Sequence, residues 1–214
     1  MSKILITGAA GFIGSQLAHA LWQEKNEVVL VDDFSYGLED NLVFCDHDFR
    51  DEIIRGDICS SQFLYKLCQE KTFDYIYHIA AITPLPDCQI DPGRAVTVNV
   101  AGTVSVLEAA RRYGAVKVIF ASTSAVYENC RTFPTREADA IPPSLIYSGT
   151  KFAAEQFCKS YADVYGMNIT VLRFANVYGP HIDCLRKQPP VAGYLIRELY
   201  YDRAPVLHAT GKQE

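Results

Sequence analysis

The sequence predicts an α/β fold, a mostly parallel doubly wound sheet with helices on both faces. Three features point to it. Apolar runs of strand length recur at residues 4–6, 28–31, 73–81, 116–121 and 169–174, as strands buried on both faces require. Stretches with helical spacing separate them, the alternation that builds parallel sheets. The first run breaks into a turn with a glycine at every third position, Gly8, Gly11 and Gly14, and such a turn presents backbone N–H groups at a helix N-terminus.

After the turn, Gln16, Leu17, Ala20 and Leu21 continue at helical spacing. Gly8 would allow the tight turn, Gly11 the close approach of a pyrophosphate, and Gly14 the packing of helix on strand. Glycine-rich turns often only reverse the chain, so the end of the next strand matters. It closes with Asp32-Asp33, and Asp32 lies 18 residues after Gly14, where a carboxylate accepts the hydroxyls of an adenosine ribose. No Arg or Lys occurs between Asp32 and Arg50 to neutralise a 2′-phosphate, which favours NAD over NADP.

Residues 34–55 form a polar connection over the adenosine end, with room for a short strand. Residues 61–70 read as a helix, since Phe63, Leu64, Leu67 and Cys68 share a face. The run 73–81 ends in Ala80 and Ala81, small side chains that let a ligand come close to backbone. Residues 83–92, with Pro84, Pro86 and Pro92, read as a loop. A long helix is predicted over 93–113, with its buried stripe at Val96, Val100, Thr103, Val104 and Leu107 and its stop at Gly114. Another spans 147–165 and stops at Gly166.

At 214 residues the chain can bury a substantial core. Its net charge of −5, with no basic cluster, argues against a nucleic-acid partner. No apolar run approaches the ~18 residues of a membrane span, and the N-terminus lacks the regions of a signal peptide. Seven cysteines without C-x-x-C spacing read as reduced core thiols of a cytoplasmic protein rather than a zinc site. No metal is expected.

Tyr147-Ser148-Gly149-Thr150-Lys151 opens the helix at 147–165. Positions i and i+4 share a helical face, so phenol and ammonium can address one site. Bringing a phenol from ~10 to ~7 takes about 4 kcal/mol of preferential anion stabilisation. One ammonium at ~4 Å supplies about that at an effective dielectric of ~20. A second copy of the spacing, Tyr113 to Lys117, straddles a helix stop and carries no such meaning. At Tyr147 the context differs, because the strand at 116–121 runs into Ser122-Thr123-Ser124, three hydroxyls at the strand end where ligands bind.

With these motifs in order, together with Gly56-Asp57-Ile58, the stretch His78-Ile79-Ala80-Ala81, Asn99 to Thr103 and Arg173 to Pro180, the chain resembles the extended short-chain dehydrogenase/reductase family in its NAD-dependent sugar-nucleotide epimerase/dehydratase branch. The resemblance implies a Rossmann-type sheet, with Tyr147 as acid/base. Lys151 would lower the phenol's pKa and hold the nicotinamide ribose, and Thr123 would bind the sugar hydroxyl. It implies that Phe12 and Ile13 join the glycines at the pyrophosphate, and that Asp33, Phe34 and Ser35 accompany Asp32. Asp57 and Ile58 would flank adenine, Ile79, Ala80, Ala81 and Ile82 line the cofactor, and Asn99 and Ser122 brace it. Thr83, Ser124 and Asn176 would face a nucleotide-diphosphate sugar, expected to be a UDP-sugar. A homodimer is implied through the helices at 93–113 and 147–165.

Family dehydratases usually carry an acidic residue after the active Thr, where Ser124 and Ala125 stand here. That favours a 4-epimerase, which needs one base and one cofactor, over a dehydratase or reductase of the same family. Tyr127 is followed by Glu128 rather than Gly, and Ser148-Gly149 reverses the family's usual order. The family's chains run longer, so residues 1–180 are expected to be the NAD-binding domain and 181–214 the start of a cut-short substrate lobe. A non-catalytic NAD-binding module is then the further alternative. His78 is expected to brace a strand end by hydrogen bonding. His181 and His208 are expected to be solvated, and Cys88 and Cys184 to be ordinary.

Overall fold

The computed structural model describes residues 1–184 and 189–206, which leaves His208 and the terminal residues 211–214 outside. Contacts divide the chain into Met1–Ala175 and Asn176–Glu214. In the first unit the elements are β1 (Lys3–Thr7), α1 (Phe12–Gln23), β2 (Glu27–Asp32), β3 (Ile53–Arg55), α2 (Ser61–Glu70), β4 (Tyr75–His78), α3 (Leu85–Ile90), α4 (Pro92–Val96), α5 (Thr103–Tyr113), β5 (Lys117–Thr123), α6 (Ile146–Tyr165) and β6 (Ile169–Phe174). The second unit contains α7 (Val191–Tyr200).

The six strands form one sheet in the order β3-β2-β1-β4-β5-β6, every pair parallel. The chain winds outward from β1 to β3, then returns past β1 to β4. That reversal opens a crevice beyond the carboxyl ends of β1 and β4, where ligands bind in such sheets. Alternation along the strands sorts side chains to two cores. Leu5, Val31, Ile76, Val118 and Phe120 meet Leu64, Leu67, Val106 and Ala154 on one face. Ile4, Ile6 and Leu30 meet Ala18, Leu42 and Phe49 on the other. Each large apolar side chain so buried contributes roughly 1.5–3 kcal/mol.

Several expectations change. The run 73–81 is a strand only over Tyr75–His78. Residues 83–92 hold α3, with Pro86 in its first turn, where the missing N–H would have no helical partner. The helix at 93–113 is interrupted by a π-helical stretch, Thr97–Gly102. The wider turn moves the buried stripe to Ala95, Asn99, Thr103, Val106, Leu107 and Ala110, and Val96 is exposed. Of the cysteines, only Cys68, Cys88 and Cys158 are core, and Cys45 is exposed. Gly114 and Gly166 end their helices in the left-handed conformation, at φ +78° and +67°, as read from the sequence. No helix among the described residues is long and apolar enough to cross a membrane.

Candidate functional site

At the dinucleotide end, Gly8 has φ +73° and a Cβ there would lie 2.6 Å from the Ala80 backbone nitrogen. A Cβ on Gly14 would lie 2.0 Å from the Gly8 carbonyl oxygen, so helix and turn touch backbone to backbone. A Cβ on Gly11 would meet only the Gly8 oxygen, at 3.3 Å, which leaves its outer side open to a close-approaching phosphate. No side chain caps α1 at its N-terminus, so the first-turn N–H groups, Phe12 and Ile13 among them, are available to an anion.

The Asp32 carboxylate accepts from the N–H groups of Ala10 (2.9 Å) and Phe34 (2.8 Å), which ties the glycine turn to the tip of β2. Burial raises its pKa, against the lowering by those two N–H groups. Phe34 has φ +60°, a left-handed conformation uncommon outside glycine. Asp33 accepts from the Ser35 N–H (2.8 Å) and hydroxyl (2.6 Å). Sheet register sets Arg55 opposite Asp32, with its guanidinium 5.1 Å from the Phe34 ring. Spacing along the chain missed this cation, and preference for NAD therefore rests on the buried carboxylate. Asp57 accepts from the Cys59 N–H (2.8 Å). Ile58 is 5% exposed and packs where a Gly102 Cβ would sit, so a base-flanking role would fall to its backbone.

Asn99 lies on the π-helical stretch and joins two sides of the crevice. Its Oδ1 accepts from the Ile82 N–H (2.8 Å), and its Nδ2 donates to the Ile82 carbonyl (2.9 Å) and the Thr150 hydroxyl (3.0 Å). Ile79 donates its N–H to the Thr7 carbonyl (3.1 Å), and Thr83 is exposed. His78 braces β4 as expected. The Thr103 hydroxyl donates to the Asn99 carbonyl (2.7 Å), so it can only accept from His78 Nε2–H (3.0 Å). Nδ1 then accepts from the Thr7 hydroxyl (2.8 Å). Burial, and secondarily Lys151, push the imidazole down to about 3.

At the other end, Thr123 closes β5 and accepts from the Ala125 N–H (3.1 Å), and its hydroxyl bears on the Tyr147 phenol. Ser124 is exposed. The Tyr147 pKa is raised: burial dominates, the Thr123 hydroxyl opposes it, and Cys88 adds to the rise. Lys151 is not among the groups that shift the phenol here, and the expected lowering includes the positive charge of an oxidised nicotinamide. The Lys151 ammonium stands 4.4 Å over the Phe120 ring, and burial lowers its own pKa to about 8. Tyr147 and Lys151 nonetheless share a neighbour in the buried Cys88.

Side-chain pairs distant in sequence support this end. Ser122 donates to the buried Glu155, which holds Arg173 at 2.7 and 3.0 Å. The Ser122 hydroxyl is thus committed beneath α6 rather than to a cofactor. Glu155 could have been found as the i+4 neighbour of Lys151 on the same face. Glu128 accepts from Ser144, Leu145 and Ser148, and these bonds outweigh burial to hold its carboxyl below the ordinary value. Tyr36 donates to Asp87 (2.8 Å), and the two line a cavity of about 240 Å³ with Ile82, Ile90, Asp91 and Arg94. Asn176 is the first residue of the second unit. No cluster of three metal-ligating side chains occurs among the described residues.

Comparison with known proteins agrees with this geometry. The sequence profile of the NAD-dependent epimerase/dehydratase family matches residues 4–214. A UDP-glucose 4-epimerase of Mycolicibacterium smegmatis is 36% identical over 182 residues, 85% of this chain and 58% of that protein. The crystal structure of a Thermotoga maritima UDP-glucose 4-epimerase with UDP-glucose matches with a TM-score of 0.91 at 29% identity, over 98% of this chain and 67% of that one. A UDP-glucose 4-epimerase of Brucella ovis in complex with NAD matches with a TM-score of 0.77 at 31% identity, over 86% and 55%. The chain thus spans a little over half to two thirds of these relatives. NAD is the cofactor, and the open side of Gly11, the uncapped helix and the buried Asp32 carboxylate fit it. The chain belongs to the NAD-dependent epimerase/dehydratase family.

Proposed function

We propose that the protein is a nucleotide-sugar 4-epimerase acting on a UDP-sugar. Bound NAD supplies the chemistry of taking a hydride from C4 and returning it to the other face. The chain's own groups handle the proton. Tyr147 accepts the 4-hydroxyl proton and returns it, and Thr123, whose hydroxyl bears on the phenol, can hydrogen-bond the same sugar oxygen. Lys151 carries positive charge below about pH 8, which favours the phenolate. Asn99 fixes the start of α6 against the loop after β4 through Thr150.

The observation that carries this reading is the Thr123–Tyr147 hydroxyl pair at the crevice, followed by Ser124 and Ala125 rather than a carboxylate. Removal of water from a sugar needs a further acid/base, and that position has none. Residues 181–214 are read as part of a substrate-binding lobe, and Thr83, Ser124 and Asn176 as substrate-binding residues. A cytoplasmic homodimer fits the unpaired cysteines and the exposed Phe157 and Val164, seven residues apart on α6.

To test it, the protein is incubated with NAD and UDP-glucose, UDP-galactose or their N-acetyl and uronic relatives. Interconversion of C4 epimers without net NADH is expected, and Tyr147→Phe should lower kcat by about 10²–10⁴. A 4-keto-6-deoxy product would make it a dehydratase, and net NAD(P)H consumption a reductase. Calorimetry showing NAD binding without any nucleotide-sugar binding would leave a binding module.

A further inference from the structure

Two places where the chain departs from its family's pattern face each other. The Glu128 carboxylate accepts from the Ser144 N–H, the Leu145 N–H (2.9 Å) and the Ser148 hydroxyl (2.7 Å). Beside it, the Asn129 amide donates to the Ser144 hydroxyl (3.0 Å). Leu145 gives α6 no side-chain cap of its own, and a carboxylate from a distant turn instead takes the N–H groups of Ser144 and Leu145, the two residues that lead into the helix. Four residues, Ser124–Tyr127, lie between Thr123 and Glu128, and Ser148 adjoins Tyr147. The Glu128–Ser148 link therefore ties the turn that follows Thr123 to the first turn of α6, which carries Tyr147, and so sets how far apart the two site hydroxyls stand.

We propose that Glu128 is a positioning residue that, through Ser148 and the first turn of α6, holds Tyr147 in hydrogen-bonding reach of Thr123. The role rests on Tyr147 being the acid/base of the proposed reaction. Glu128 acts by geometry and does not touch substrate. If it acted instead only through its charge, its removal would ease ionisation of the phenol; if it were only a helix cap, the phenol would titrate unchanged. The groups that bear on the phenol are the Thr123 hydroxyl and the Cys88 thiol of α3; Lys151 follows one turn along α6.

The three roles separate by sign. In the NAD-loaded protein, ¹³C-labelled tyrosine reports the titration of Tyr147, its resonance assigned by Tyr147→Phe. Glu128→Ala should raise the Tyr147 midpoint, because Thr123 no longer donates to the phenolate. Glu128→Gln should return it toward the parent value, since the amide oxygen still accepts. Ser148→Ala, which keeps the backbone cap, should shift it the same way by less. Turnover should fall about five- to tenfold in Glu128→Ala with KM for the UDP-sugar unchanged. A midpoint that stays put or falls overturns the proposal. Should Glu128→Ala not fold, Glu128→Gln and Ser148→Ala decide alone. The midpoint is read without substrate, so a failure of the epimerase reading appears only in the turnover assay.

Discussion

The two ends of the crevice are built by different means. At the dinucleotide end, backbone meets backbone: Gly14 lies under the Gly8 carbonyl, and Gly8 under Ala80. At the Tyr147 end, side chains, several of them buried, hold one another across the sequence. Asn99 reaches Thr150, Ser122 reaches Glu155 and Arg173, and Glu128 reaches Ser148. A backbone-built end needs few particular side chains but tolerates no added atom. A side-chain end tolerates size changes better and depends on each partner keeping its polar group paired.

Adding one carbon to the backbone-built end is the most damaging way to probe this difference. In Gly14→Ala the new Cβ has backbone 2.0 Å and 2.8 Å away, and neither side can yield as a flexible side chain would. The cost should exceed the ~1–3 kcal/mol of ordinary overpacking, with NAD binding lost. Gly11→Ala meets one atom at 3.3 Å and should keep its melting temperature, yet bind NAD weakly where the phosphates approach. Thermal melts with NAD titrations compare the two. Equal stability losses would break the distinction between packing glycine and contact glycine.

His78 stands between the two ends, bonded to Thr7 at one and Thr103 at the other. Its folded pKa, depressed to about 3 by burial, lies below its unfolded value of ~6.5. The unfolded chain then binds the extra proton in that window. Stability is fully present above ~6.5 and is lost as pH falls toward 3, by about 2 kcal/mol at pH 5. Urea unfolding at pH 7, 6 and 5 measures it. His78→Gln should be less stable at pH 7 but lose less on acidification. Parallel pH slopes for the two proteins would remove His78 as the acid-sensitive tie.

The same contrast explains what could be read along the chain. The glycine turn, Asp32 and the strand–helix alternation follow from short spacings, and the sheet order then follows from connectivity. Partners separated by 17, 20, 33 and 51 residues leave no periodic trace. Glu128 and Ser148 stood out only as two separate departures, and folding makes them a pair. Arg55 escaped because its neighbour is set by register between β2 and β3 rather than by distance along the chain. The stripe at Val96 failed because a π turn changes the period from within, which no count at 3.6 residues can follow.

Tyr36 makes an exposed side-chain tie beside the backbone-built end, and its removal should give the smallest effect. Its hydroxyl joins the loop after β2 to Asp87 on α3, over the cavity those residues share with Ile82. Tyr36 is 45% exposed, so water competes for the bond and its contribution should be under about 1 kcal/mol. Tyr36→Phe should therefore release NAD about two- to fivefold faster while leaving the fold intact, measured by stopped-flow displacement. Burial and Asp87 push the phenol up to about 12, so the bond does not switch between pH 6 and 9, and the ratio of release rates should be flat across that range. A cofactor that must be reused at each turnover gains from even a weak tie of this kind, because slower release lets one bound molecule serve more cycles. Unchanged release would mean that the glycine turn and Asp32 retain the dinucleotide without this tie, and the contrast between the two ends would then be sharper.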